Sequence, residues 1–281
     1  MENLYHYTTG AGLLGMMKNY SKENKNLTMW ATHYKYMNDP TEYEYGRSIC
    51  LDIIDDIEKE LHIEKGKRIK EVLKKNNFNR LPISKEIENK QKKFIFSPYL
   101  ISLSRAEDSL HMWNMYAKNG NGIAIIFNGE KLNNSCVPKE CIYYEKKKHY
   151  NKLKEKINEH YQQHMNTFQV SGVDPLIANA YGVALLISLL EGVFIKHFAY
   201  REEMETRIHV SIAEDVLFRD KEGLIIPYVE QQIPFECVEN IIVGPTADFD
   251  RVCESIWLLM NSKGIKWKED KIIKSNVPYR I

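Results

Sequence analysis

The sequence predicts an α+β fold built on a mixed sheet, and three observations carry that expectation. Short apolar or alternating runs occur near both ends and in the middle of the chain, without the regular strand–helix alternation that builds a parallel sheet. Two long stretches, about 43–93 and 145–198, have helical periodicity instead. With 281 residues and 43% hydrophobic content, the chain is large enough for one elaborated domain with a substantial core. The domain is therefore expected to span 1–281, with the two helical stretches as insertions.

Taken in order, Leu4-Tyr-His-Tyr-Thr8 has strand composition, and Leu13, Leu14, Met16 and Met17 after Thr9-Gly10 suit a short amphipathic helix. Thr28 to His33 reads as a second strand leading into the turn signal Asn38-Asp-Pro40. From Glu42 to about Asn77, Ile49, Ile53, Ile54, Ile57, Leu61, Ile69, Val72 and Leu73 recur at helical spacing among charged residues, which predicts a pair of surface helices. Phe94 to Leu103 is the next strand. Asp108-Ser109 then opens a helix through Ala117, closed by Gly120-Asn-Gly122. Ile123 to Phe127 is uniformly apolar and reads as a buried strand. Helices follow over Lys152–Phe168 and Leu176–Phe198, divided by the breaker Ser171-Gly-Val-Asp-Pro175. Strands are expected at Arg201–Ile212, Leu224–Gln231 and Val238–Val243. A helix from Phe249 to Ser262 stops at Gly264, and a final strand ends near Ile281.

Lys and Arg number 39 against 38 Asp and Glu, so no global field steers the molecule toward nucleic acid or an anionic membrane. The five cysteines are scattered without a Cys-x-x-Cys pair, which suits reduced thiols in a cytoplasmic protein. Met1-Glu-Asn-Leu-Tyr-His6 shows no apolar run behind a basic region, so a secretory signal is not expected. The apolar run Val183–Leu190 is broken by Glu191 and Lys196, short of the ~18 residues of a membrane span, so no membrane is expected as a partner.

Three segments carry candidate chemistry. If Tyr200 to Ile212 is a strand, Glu203, Glu205, Arg207 and His209 share one face, opposite Met204, Thr206, Ile208, Val210 and Ile212. Two carboxylates so spaced lie about 7 Å apart and can act on one ligand, while Arg207 holds one of them ionised. The plainer alternative is a solvent-facing strand of alternating charge. In Tyr99–Arg105, Ser102 and Ser104 share a face at a strand end, where they could bind a ribose or phosphate; Ser104 could equally cap the next helix. In the first strand His6 and Thr8 share a face, where an imidazole can aim one hydrogen bond or serve a structural purpose.

In this order, a first-strand His with a following Thr, a central Ser-x-Ser and a late Glu-x-Glu resemble the ADP-ribosyltransferase superfamily. More closely, the chain resembles a bacterial family of uncharacterised domains assigned to that superfamily. The markers are Leu4–Thr8, Asn38–Glu42, Ser102-Leu-Ser104, Trp113-x-x-Tyr116-Ala117 with Gly122–Phe127, Glu203–Arg207 and Ile241–Gly244. The resemblance implies an ADP-ribosyltransferase-like mixed sheet split around a cleft. It also implies NAD as substrate, cleaved with transfer of ADP-ribose to a protein or nucleic-acid acceptor. His6, Tyr7 and Thr8, with Ser102, Ser104 and Arg207, would bind NAD: His6 at the adenosine ribose, the serine strand at the nicotinamide side. A glutamate, Glu205 in preference with Glu203 as its partner, would bind the nicotinamide-ribose 2′-hydroxyl. By analogy the biological role would be that of a toxin or anti-phage defence effector, with an antitoxin or defence-system partner. An NAD glycohydrolase and a non-catalytic nucleotide- or partner-binding module are the alternatives.

Other features carry less. Tyr34, Tyr36, Tyr43 and Tyr45 around the Asn38–Glu42 turn could cover the cleft, or the turn could simply be rigid. Trp113 and Tyr116 lie one helical turn apart and read as core. His160 and His164 have no third ligand, so no metal is expected, and Lys146–His149 reads as a solvated helix start.

Overall fold

A computed structural model describes residues 2–38, 42–76, 98–210, 215–221 and 223–279. Strand β1 (Leu4–Thr8) alternates its faces: Leu4 packs into one core, Tyr5 and Tyr7 into another. The Thr9 hydroxyl accepts the Gly12 N–H at 3.3 Å and so caps α1 (Gly10–Met17), which buries Leu13, Met16 and Met17. Strand β2 (Asn26–His33) follows. The long helix α2 (Glu42–Glu60) and the short α3 (Ile69–Lys75) then leave the sheet. The chain returns as β3 (Tyr99–Ser104), α4 (Leu110–Tyr116), β4 (Ile123–Phe127) and α5 (Gly129–Ser135).

Two short strands, β5 (Lys139–Glu140) and β6 (Ile142–Tyr143), lead into a second helical excursion, α6 (Lys146–His164) and α7 (Pro175–Leu190). Asp174 caps α7 through the N–H groups of Leu176 and Ile177, with Pro175 in the first turn where its missing N–H costs nothing. Then come β7 (Ile195–Lys196), β8 (Glu205–Val210), β9 (Leu217–Lys221), β10 (Leu224–Pro234), β11 (Val238–Val243), α8 (Phe249–Ser262) and β12 (Ile272–Lys274).

The main sheet runs β12-β11-β4-β1-β3-β2-β10-β9, with β8 also on β3 and β5 on β8. Its pairings are antiparallel apart from β11 with β12. The molecule is thus a mixed α+β protein with a mostly antiparallel sheet. Strand β3 is the branch point: β8 follows one of its edges from Tyr99 to Ser104. Its other edge is shared, with β2 paired at Tyr99 and Leu100 and β1 at Ser104. Among the described residues, neither strand pairs with Ile101–Leu103, so the sheet divides there.

Three of the four apolar clusters among the described residues organise most of the packing. Side chains of β1, β3, β4, β10 and β11 pack with α1 and α8, while Tyr5, Tyr7, Ala124 and Ile126 pack on the opposite face with Met112 and Trp113 of α4. A separate core joins α2, α3, α6 and α7 around Ile53, Ile54, Ile157, Val183 and Ile187. The two helical excursions therefore bury their apolar stripes largely against each other. Pro175–Phe194, which comprises α7 and the turn after it, is 20 residues long and apolar enough by length and composition to cross a membrane. That exceeds the short run expected from sequence. Here it is the central helix of this second core, with Ala180, Val183, Ala184 and Ile187 buried.

The structure also corrects several boundaries. The expected strand over Arg201–Ile212 begins only at Glu205: residues Phe198–Glu203 form a 3-10 turn, and Met204 lies in the left-handed region at φ 44°. Helix α6 starts at Lys146 rather than Lys152, which puts the Lys146–His149 cluster in its first turn, and α7 stops at Leu190 rather than Phe198. Helix α5 and strand β9 had no counterpart in the sequence reading. The expected final strand closes by Lys274. Residues 39–41 of the expected turn, 77–93 of the first insertion, 94–97 and 211–212 of two expected strands and the terminal 280–281 lie outside the described residues.

Candidate functional site

Where β1 and β2 part from β3, a cleft of about 310 Å³ opens, at the lower end of the range for small-molecule sites. His6, Tyr7, Thr8, Ser102, Ser104, Glu203, Glu205 and Arg207 all border it. They do so in different ways. His6 is half-buried, and its Nδ1 donates to the Ser102 carbonyl at 3.2 Å, on the stretch of β3 that no strand covers. A carbonyl only accepts, so the proton sits on Nδ1 and Nε2 keeps its lone pair. Burial lowers the imidazole pKa, opposed in part by that bond, and the ring is neutral at pH 7.

Thr8 is half-buried on the same side of β1 as His6, but Tyr7 turns its ring to the opposite face. There it lies edge-on to Trp113 at 4.9 Å, while its hydroxyl donates to the Ala106 carbonyl at 2.7 Å and accepts the Ser109 N–H. Tyr7 thus organises the core beside the cleft. Ser104 is fully buried: its hydroxyl donates to the Glu203 carbonyl at 2.6 Å and accepts the Ala106 N–H. It fixes the chain at Glu203 and does not cap α4, whose N-cap is Ser109. Ser102, opposite Arg207 in the β3–β8 register, remains half-buried at the cleft.

The carboxylates form a buried charge cluster with Lys196 and Arg207. Arg207, buried to 1% exposure, grips Glu205 with both prongs, Nε to Oε1 at 2.9 Å and Nη2 to Oε2 at 3.0 Å, and donates from Nη1 to the Val193 carbonyl. Lys196 Nζ lies 2.5 Å from Oε2 of both Glu203 and Glu205. The remaining oxygen of Glu203 accepts the Tyr116 hydroxyl at 2.9 Å. Burial alone would raise the pKa of Glu205, but Arg207 and Lys196 outweigh it and push it down to about 2. Glu205 is therefore a permanent anion.

The expectation that Glu203 and Glu205 share a strand face is replaced by a different geometry. The left-handed turn at Met204 delivers Glu203 from the end of the 3-10 turn, so both carboxylates converge on one ammonium. Nor is the segment a solvent-facing charged strand, because Glu203, Glu205, Thr206, Arg207 and Ile208 are all buried. Met204, expected in the core, is 40% exposed.

Sequence reading missed Lys196, which it took only as a charge ending an apolar run. A lysine inside Val193-Phe-Ile-Lys196 had to find a buried acidic partner, and that was the available signal. It also missed Tyr143, whose hydroxyl accepts the Glu205 N–H at 2.6 Å, and Arg219. Trp113 is fully buried core, whereas Tyr116 reaches the cleft. Of the four tyrosines near the Asn38 turn, Tyr36 borders the cleft, while Tyr34 packs on Tyr43 and Tyr45 on His197. His160 approaches Glu191 at 3.6 Å, and no group of three potential metal-ligating His, Cys, Asp or Glu side chains occurs among the described residues.

Fold and site together define a mixed α+β protein with a charge-lined cleft at a branched, mostly antiparallel sheet. Residues 112–208 match a family model described as "Protein of unknown function (DUF2971)". That span runs from α4 to β8, so it holds Tyr116, Lys196, Glu203, Glu205 and Arg207 but not His6 or the two serines. Comparison with curated proteins and with solved structures gave no match.

Proposed function

We propose that the cleft binds NAD, cleaves its nicotinamide–ribose bond and passes ADP-ribose to a protein or nucleic-acid acceptor. The observation that carries this reading is the convergence of a permanently ionised Glu205, a second carboxylate and a neutral His6 on one small cleft. As the C1′–N bond breaks, its electron pair leaves with nicotinamide and positive charge grows on the sugar. A fixed carboxylate stabilises that charge where it develops. Glu205 is suited to this because its ionisation does not depend on pH in the physiological range. Glu203 takes hydrogen bonds from Tyr116 and Lys196, which leaves about half of its lone-pair capacity for the acceptor's proton as the new bond to C1′ forms.

One observation favours a second reading, a nucleotide-binding module without turnover: Lys196 already compensates both carboxylates. Incubation with labelled NAD separates the two. Label on a macromolecule is the expected result, free ADP-ribose would indicate transfer to water, and bound but intact NAD would leave only the binding module. Glu205→Gln keeps the shape and removes the charge. It is expected to slow nicotinamide release by on the order of a hundredfold or more, and parental activity in that variant would end the assignment.

A further inference from the structure

Arg219 stands apart from the other charges of the cleft. Lys196 and Arg207 are matched by Glu203 and Glu205, but no carboxylate of the described residues lies within salt-bridge distance of Arg219. Its guanidinium rests over Trp30 at 5.0 Å and over Tyr228 at 5.6 Å, two rings themselves 5.1 Å apart. Its Nη2 donates to Thr32 Oγ1 at 2.9 Å, which fixes the plane of the fork. Its Nε is buried without a hydrogen-bond partner. A buried donor on a cation is costly to leave unmet, so a ligand that brings an acceptor to this nitrogen is favoured.

The position along the sheet relates Arg219 to the carboxylates. Thr32 lies opposite Leu100 of β3, and Glu205 lies opposite Ser104. The two registers are four residues of β3 apart, roughly 13 Å along the strand, and lie on its opposite edges, about 10 Å apart across it. A ligand whose sugar–base linkage meets the carboxylates can thus extend its far, anionic end to Arg219.

We infer that Arg219 is the phosphate anchor of the cleft, its fork held rigid by Trp30, Tyr228 and Thr32 for the diphosphate of a nucleotide ligand. The anion part stands on the geometry of Arg219; the nucleotide part rests on the NAD reading. An arginine fork suits phosphate because its parallel N–H donors match two oxygens at once.

Titration calorimetry on the full chain tests this with ADP, adenosine and inorganic pyrophosphate. ADP is expected to bind more tightly than adenosine, and Arg219→Gln to weaken ADP by roughly ten- to a hundredfold while leaving adenosine unchanged. Arg219→Lys, which keeps charge but not the fork, should fall between and guards against a misfolded glutamine variant. Equal ADP affinity in wild type and Arg219→Gln, or no gain of ADP over adenosine, would overturn the anchor. Pyrophosphate binding as tightly as ADP would overturn the nucleotide part. If ADP binds through Arg219 while NAD is never cleaved, the anchor holds and the proposed reaction fails. If Arg219→Gln consumes NAD with unchanged kcat/KM, the reverse is true.

Discussion

Lys196 bridges the carboxylate pair. Its ammonium contacts Oε2 of both Glu203 and Glu205 and offsets the repulsion between two buried side chains of like charge. Lys196→Met is expected to cost about 3–5 kcal/mol in denaturant unfolding, because it strands negative charge inside the protein. Adding Glu203→Gln to that variant should return part of the loss, since one orphaned charge goes with it. A double variant no more stable than Lys196→Met would show that the ammonium acts on something other than this pair. Much of the surrounding site was legible residue by residue. Alternation in Tyr5-His6-Tyr7-Thr8 predicts which side chains share a face, and His6 and Thr8 do lie together beside the cleft. The left-handed Met204 was not legible, because nothing in Glu-Met-Glu marks a residue that is neither Gly nor Asn for that conformation.

At the scale of elements, periodicity located α2, α3, α7 and α8, and uniform apolarity located β4. It failed where partners rather than pattern make the element. The 3-10 turn at Phe198–Glu203 is tied down by the bond from Ser104 to the Glu203 carbonyl. Strand β9, Leu217-Phe-Arg-Asp-Lys221, is an exposed edge whose mixed polarity gives no clean alternation. Helix contacts also override propensity at Gly46 in α2. An alanine in the interior of a helix usually gains up to about 1 kcal/mol over glycine. At Gly46 the added methyl would collide with the Gly192 carbonyl oxygen, where α2 crosses the turn before β7. Gly46→Ala is therefore expected to lose about 1–3 kcal/mol, measured by urea denaturation. A gain would show that the two backbones can part without cost.

For the whole molecule, two buried glutamates give stability opposite dependences on pH. Glu58, 2% exposed in the helical core, accepts the Ile69 N–H at 2.9 Å and the Tyr161 hydroxyl at 3.1 Å. Burial outweighs those bonds and raises its pKa from 4.5 to about 7. Its contribution is whole below the unfolded carboxylate pKa and is lost as pH rises through about 7. Glu205 behaves in the opposite sense, contributing fully above the unfolded pKa and losing that contribution as pH falls toward about 2. Between pH 4.5 and 8, Glu58 is expected to lower the unfolding free energy of the parent by about 3 kcal/mol, and Glu58→Gln to remove that part of the decline. Parallel pH profiles for the two proteins would disprove that assignment.

The short stretch Val193–Lys196 gives the helical core a lever on the cleft. Val193 accepts from Arg207, Ile195 is packed among the helices, and Lys196 delivers the ammonium that the two carboxylates share. A tilt or slide of α2 or α7 would reach the cleft chiefly as a displaced positive charge, with little change in its outline. The helices therefore act as a mounting for that charge, and their seating sets the electrical balance of a site to which most of their own side chains never come near.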